Sequence, residues 1–284
     1  MGGIYWLASY PKSGNTWMRA FLSNLKEDGD VPVDINDLAT GSIASARVWL
    51  DEVLGFDTAG LTADEVERLR PAVYDWARHD DGIGYHKIHD AYTLTPGGEP
   101  IVGRGATRGA LYIVRNPLDV APSAANHWHC TIDEAIAQMG DLRTEFCRSG
   151  GRLSPQVRQR LLTWSRHVLS WVDAAGLRRE VVRYEDLLDD PLATFTRAAA
   201  FLELPRDSVR VSKAIRFSEF RELARQEAER GFLERPQRAE RFFRRGAGRA
   251  WQDELTTAQV KRVIADHGEV MRRFGYLDAA GDPA

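Results

Sequence analysis

The sequence predicts an α/β fold with a mostly parallel central sheet, and three observations carry that prediction. Short apolar, β-prone runs alternate with stretches of helical periodicity. The first run passes through a glycine-bearing turn directly into a helical pattern. Further on, Asn116-Pro117 and Asp190-Pro191 each place a capping residue before a proline suited to the first turn of a helix.

The elements follow in order. Ile4–Ser9 is short, apolar and β-prone, and the turn residues Pro11, Ser13 and Gly14 end it. From Asn15 the pattern turns helical, with Trp17, Met18, Phe21, Leu22 and Leu25 at three- and four-residue spacings. Strands are expected at Gly84–His89, Ala110–Val114 and Glu180–Arg183. Between the last two, Ser154-Pro155 is expected to open a long amphipathic helix. Val157, Leu161, Trp164, Val168 and Trp171 would form its stripe and Gly176 its end. A final helix is expected from Thr257 to Phe274, with Val260, Val263, Ile264 and Met271 inward. Strands alternating with helices imply a sheet flanked by helices. No repeat or linker interrupts the chain, so residues 1–284 are expected to form a single domain.

Composition narrows the function. With 43% hydrophobic and 28% charged residues, the 284-residue chain reads as globular, not disordered or fibrous. Its 38 Lys+Arg against 41 Asp+Glu give a net charge of -3, which supplies no global field for nucleic acid. The two cysteines, Cys130 and Cys147, suit a reducing compartment. No apolar run approaches the ~20 residues of a membrane span, and residues 1–6 lack a signal peptide's basic start. A cytoplasmic protein is expected.

The first turn is Tyr10-Pro11-Lys12-Ser13-Gly14-Asn15-Thr16-Trp17. A glycine turn between strand and helix aims backbone N–H groups and the positive helix end at one spot, which suits a phosphate. It is not the nucleoside-triphosphate loop, whose lysine follows its second glycine; here Lys12 precedes the turn's one glycine. Taken alone it is equally an ordinary turn. The stretch Arg225–Arg249, short of apolar periodicity, carries Arg235, Arg238, Arg241, Arg244, Arg245 and Arg249. It reads either as a solvated loop or as a mobile anion-binding flap.

These residues, Tyr10 to Trp17, resemble the 5′-phosphosulfate loop of the cytosolic-type sulfotransferases. That family uses 3′-phosphoadenosine 5′-phosphosulfate (PAPS) and releases adenosine 3′,5′-bisphosphate (PAP). Three further matches stand in the family's order. His86-Lys87-Ile88-His89 resembles its Lys-x-His pair. Arg115, followed eight residues later by Ser123, resembles its 3′-phosphate signature. Arg244-Arg245-Gly246-Ala247-Gly248-Arg249-Ala250-Trp251 resembles its Arg-Lys-Gly-x-x-Gly-x-Trp loop, with Arg245 for lysine and the second glycine one place early.

The resemblance implies roles. His89 would be the general base, an imidazole whose ordinary pKa near ~6.5 suits the task. Lys12 would meet the charge of the departing phosphate, and Lys87 would hold the sulfuryl oxygens. Ser13, Gly14, Asn15 and Thr16 would complete the phosphosulfate loop. Arg115, Ser123, Arg244, Arg245 and Gly246 would take the 3′-phosphate. Trp17 and Tyr184, with Phe220 beside them, would contact adenine. The implied reaction is sulfuryl transfer from PAPS to a hydroxyl, or an amine, of a small-molecule acceptor, with no metal. A nucleotide-dependent kinase or a non-catalytic nucleotide-binding protein is the alternative.

Lys12, His89, Arg115 and Tyr184 each come just after an expected strand, the edge where open α/β sheets bind ligands. Gly103-Arg104-Gly105 precedes a strand and is no dinucleotide fingerprint. His127, His129 and Cys130 cluster without a second ligand pair at metal spacing. Acceptor choice is expected from Thr40–Glu52, Ala91–Gly98, Arg143–Leu153 and Arg225–Gln237, which bring Trp49, Leu50, Tyr92 and Phe232. Some family members dimerise through a Lys-x-x-x-Thr-Val-x-x-x-Glu segment. Here Gln252, Thr257 and Lys261 replace its lysine, valine and glutamate, so a monomer, or a dimer through another surface, is expected.

Overall fold

The computed structural model describes residues 2–77, 82–147, 154–236, 239–246 and 248–284. Arg148–Leu153, Gln237, Arg238 and Ala247, named above, lie outside the described residues. The chain divides into two compact units. The first comprises Met1–Tyr10, Gly41–Tyr112 and Asp141–Glu180, and the second Pro11–Thr40, Ile113–Gly140 and Val181–Ala284.

A four-stranded sheet runs in the order β2-β1-β3-β6, with β1 Gly3–Ser9, β2 Ile83–Ile88, β3 Thr107–Val114 and β6 Arg179–Arg183. β1 is buried along its whole length, as expected of a central strand apolar on both faces. It pairs parallel with β2, from Gly3 opposite Ile83 to Ala8 opposite Ile88. The four expected strands are present, with ends that coincide or shift by at most three residues.

In the first unit, α2 (Arg47–Leu54) and α3 (Ala63–Trp76) precede β2. Thr62 and Glu65 close a capping box on α3. The helix expected from Ser154 is corrected: α6 spans Trp164–Val172 only. Residues before it are extended, with β5 (Gln159–Arg160) antiparallel to β4 (Glu145–Phe146). Val157 and Leu161 are buried as the stripe required, but their amides bond Ser45 O and Thr144 O instead of a helical turn. The helix starts where the Thr163 hydroxyl accepts the Arg166 amide.

In the second unit, α1 (Asn15–Glu27) follows the first turn, and α4 (Pro117–Trp128) and α5 (Ile132–Met139) follow β3. After β6 come α7 (Tyr184–Asp189), α8 (Pro191–Phe201), α9 (Ser208–Phe217), α10 (Phe220–Arg230), α11 (Trp251–Glu254) and α12 (Thr257–Arg273). The loop expected from Arg225 is corrected too, because Arg225–Arg230 belong to α10. That helix buries Gln226 and Glu227 beside Leu223. Gln226 accepts the Ile35 amide and donates to Val33 O, so a polar inner stripe hid the helix from apolar periodicity.

Candidate functional site

In the second unit, the turn after β1 has the backbone form of an anion cradle. Lys12 has φ 68° and Gly14 φ 99°, left-handed positions that turn successive amides toward one side. Gly14 caps α1, and having no side chain it makes no side-chain cap bond to the helix's first turn. Ser13 is buried with its hydroxyl oxygen unpaired among the described residues. A Cβ on Gly14 would stand 2.6 Å from the Tyr184 ring, so glycine serves both the turn and the close approach. A helix N-terminus capped by glycine, the buried Ser13 hydroxyl and the lysine fit a phosphosulfate group.

Arg115 directly follows β3 and donates through Nη1 to the Lys12 carbonyl at 3.0 Å. Its guanidinium lies 4.4 Å from the centre of the Tyr184 ring, a cation–π contact. Tyr184 meets Trp17 edge-on, with centroids 5.7 Å apart. The 5′-turn, the arginine of the 3′-phosphate signature and both expected adenine contacts thus form one cluster. Asn116 caps α4 through the Leu118 amide, with Pro117 in the first turn. Ser123 lies on the same helix, half-buried. The Asn116 amide donates to Glu185, which also accepts the Tyr276 hydroxyl. Burial raises the Glu185 pKa.

Buried carboxylates fasten the arginine segment at both ends. Glu227 accepts the amides of Phe242 and Phe243 at 2.7 and 2.9 Å. Asp119 accepts those of Arg249 and Trp251 at 2.9 and 3.0 Å. Between these anchors Arg244 makes a two-pronged pair with Glu254, and Arg245 reaches Asp253. Gly246 sits against Phe220, whose ring a Cβ would overlap. Phe242 lies under Lys12, with Nζ 4.0 Å from the ring centre. The sequence reading assigned no role to Asp119, Glu227, Glu254 or Phe242. Asp119 was visible in the Arg-Asn-Pro-Leu-Asp run, but nothing local told that its partners lie 130 and 132 residues away.

Lys87 and His89 belong to the first unit. His89 directly follows β2, and its Nδ1 is 2.9 Å from the Ser9 carbonyl. A carbonyl only accepts, so Nδ1 carries the proton and Nε2 is left able to take one. Lys87, two residues earlier on β2, is half-buried. His86 faces the other way. It stacks on Trp49 at 4.4 Å and bonds Ser42 O, and burial lowers its pKa. It is held as a packing residue.

The sulfotransferase domain model matches residues 110–275. The chain belongs to the sulfotransferase family. Sulfuryl transfer with PAPS as donor is the reaction that membership brings, and it sets the kinase and non-catalytic alternatives aside. Cytosolic sulfotransferase 17 of Arabidopsis thaliana is 23% identical over 291 residues, covering 97% of this sulfotransferase and 76% of the relative. Flavonol 3-sulfotransferase of Flaveria bidentis is 21% identical over 276 residues, covering 90% and 78%. Mouse sulfotransferase SULT7A1 complexed with PAP superposes with a TM-score of 0.59 at 18% identity, covering 98% and 86%. Retinol dehydratase in a complex with retinol and PAP gives 0.61 at 16%, covering 95% and 81%. These likenesses bear out the α/β fold with its parallel central sheet. Among the described residues, no three His, Cys, Asp or Glu side chains are grouped to hold a metal, and no helix is long and apolar enough to cross a membrane.

Proposed function

We propose that this sulfotransferase moves the sulfuryl group of PAPS in line to the hydroxyl, or amine, of a small molecule, with His89 as general base. His89 Nε2 takes the acceptor's proton as the acceptor oxygen bonds to sulfur. The bond from sulfur to the bridging phosphate oxygen breaks, and PAP departs. Lys12 and the first amides of α1, together with the Ser13 hydroxyl, meet the negative charge that grows on that phosphate. Lys87 steadies the sulfuryl oxygens.

Arg115 and Ser123, with Arg244, Arg245 and Gly246, take the 3′-phosphate. Trp17, Tyr184 and Phe220 take the adenine. The observation that carries the donor half is the glycine-capped α1 terminus behind Lys12, tied to Arg115 through the Lys12 carbonyl. For the base, support comes from the Nδ1 bond to Ser9, which leaves Nε2 as an acceptor. The reading takes 1–284 as one domain acting in the cytoplasm, in keeping with a relative named as cytosolic. It takes the chain as a monomer, or a dimer through a surface other than Gln252–Lys261, since Gln252, Thr257 and Lys261 replace the lysine, valine and glutamate of the family's dimerising segment.

The test is acceptor profiling with isotopically labelled PAPS over phenols, alicyclic alcohols, glycans and amines. Labelled product with stoichiometric PAP is expected from at least one class. PAP release without sulfated product in every class would overturn the reading.

A further inference from the structure

His167 is wholly buried in the first unit, and its two ring nitrogens are both engaged. Nε2 lies 3.0 Å from the backbone carbonyl of His89, and Nδ1 lies 2.9 Å from the Tyr112 hydroxyl. The carbonyl only accepts, so Nε2 carries the ring proton. Burial pushes the His167 pKa down to about 4, so the ring is neutral at working pH and Nδ1 is bare. Tyr112 therefore donates to Nδ1. A directed chain results: the Tyr112 hydroxyl donates to His167, and His167 donates to the His89 carbonyl.

The ring of Tyr10 packs edge-on against His167 at 5.3 Å. One residue further along, the Trp171 indole donates to Asp90 O, and the Asp90 carboxylate is gripped by both Arg70 Nη atoms at 2.8 Å. The peptide that carries His89 is thus fixed through the His89 carbonyl and through both the carbonyl and the carboxylate of Asp90. That ring has its own fastening, Nδ1 to Ser9 O.

We infer that His167 is a positioning residue for His89: by holding the His89 carbonyl it keeps the imidazole at the Ser9 carbonyl, in the tautomer whose Nε2 is free of a proton. The inference rests on the proposed role of His89, and a ring held through its far nitrogen is the general way a base is kept in its accepting form.

The test uses the full chain and two variants. His167→Gln retains an amide donor near the place of Nε2 and an acceptor for Tyr112, whereas His167→Phe keeps bulk and loses both bonds. Imidazole nitrogen shifts of His89, assigned by their disappearance in His89→Asn, report its tautomer with no acceptor present. Turnover is followed with PAPS and 2-naphthol, and nucleotide binding with PAP. The expected result is one tautomer with bare Nε2 in the wild type and His167→Gln. In His167→Phe, mixed tautomers and turnover lowered at least tenfold are expected, with PAP affinity within about threefold. In the His89→Asn background, His167→Phe should cost nothing further, as residues acting as one unit are not additive. An unchanged His89 tautomer in a folded His167→Phe protein would overturn the inference, as would equal losses of turnover and PAP binding. A fully active His89→Asn enzyme would instead remove the base assignment while leaving the tautomer result standing.

Discussion

Arg115 Nη1 donates to the main-chain carbonyl of Lys12 at 3.0 Å, so the residue expected at the 3′-phosphate also shapes the turn expected at the 5′-end. The link explains how Lys12 is kept at φ 68°, a left-handed position that few side chains occupy. It also means that one substitution tests binding and turn geometry together. Arg115→Ala should weaken PAP binding roughly ten- to a hundredfold, in line with ~1.5–3 kcal/mol for a charge-assisted contact. Arg115→Lys keeps charge but not the fork, and should recover only part of this. Adenosine 5′-phosphosulfate, which lacks the 3′-phosphate, should lose little by calorimetry. Equal losses for both nucleotides would make Arg115 a support for the turn alone.

Asp119 gives a second, independent handle on the proposed 3′-phosphate site. Asn at 119 keeps one acceptor oxygen and loses the other, so one of the amides of Arg249 and Trp251 is released. PAP should bind several-fold more weakly to Asp119→Asn, and adenosine 5′-phosphosulfate about as before. Uniform weakening of both ligands would show that Asp119 holds the fold and not the arginine segment.

Gly14→Ala should be costly from two directions. The residue sits at φ 99°, and a Cβ would come 2.6 Å from the Tyr184 ring. Holding alanine in that conformation typically costs ~1–3 kcal/mol. A lowered melting temperature and loss of PAP stabilisation are expected in thermal-shift measurements, because a ligand of the native state raises the midpoint by mass action. Full retention of the PAP shift would remove the turn from the donor site.

Acid should destabilise the protein through its buried histidines. Burial lowers the pKa of His167 and of His267 to about 4, against an ordinary value of 6.5. Between those values the unfolded chain binds protons that the folded chain refuses, so stability rises with pH across that window. Below about 4 the whole contribution is gone, of order 3 kcal/mol for each ring. Urea unfolding at pH 7.0 and 4.5 should show the loss, and His167→Gln should reduce it. An acid limb unchanged in that variant would contradict the assignment.

Much of this was legible in the sequence, and the exceptions share a cause. β1, the Gly14 turn and the Asn116 cap are local chemistry, and each stands where residue types alone place it. Capping boxes at Thr62–Glu65 and Thr131–Glu134 were equally local and mark α3 and α5, which apolar spacing had not revealed. What stayed hidden is buried polar matter whose partner is remote. Gln226 and Glu227 make the inner stripe of α10, and Asp119 and Glu227 anchor the arginine segment by accepting distant amides. The spacing at Val157 and Leu161 mimicked a helix because both are buried, while their amides answer to other segments.

The central claim, that chemistry and donor binding rest on different residues, is tested most directly by comparing His89→Asn with Lys12→Ala. Both are assayed for turnover with PAPS and for PAP affinity. Asn at 89 cannot take the acceptor's proton, and loss of a general base typically lowers the rate ~10²–10⁴-fold. His89→Asn should therefore lose about that much turnover while binding PAP within about threefold of the wild type. Lys12→Ala should lose both, because in the proposed site its charge meets the 5′-phosphate. A His89→Asn enzyme with wild-type turnover, or one that fails to bind PAP, would contradict the account.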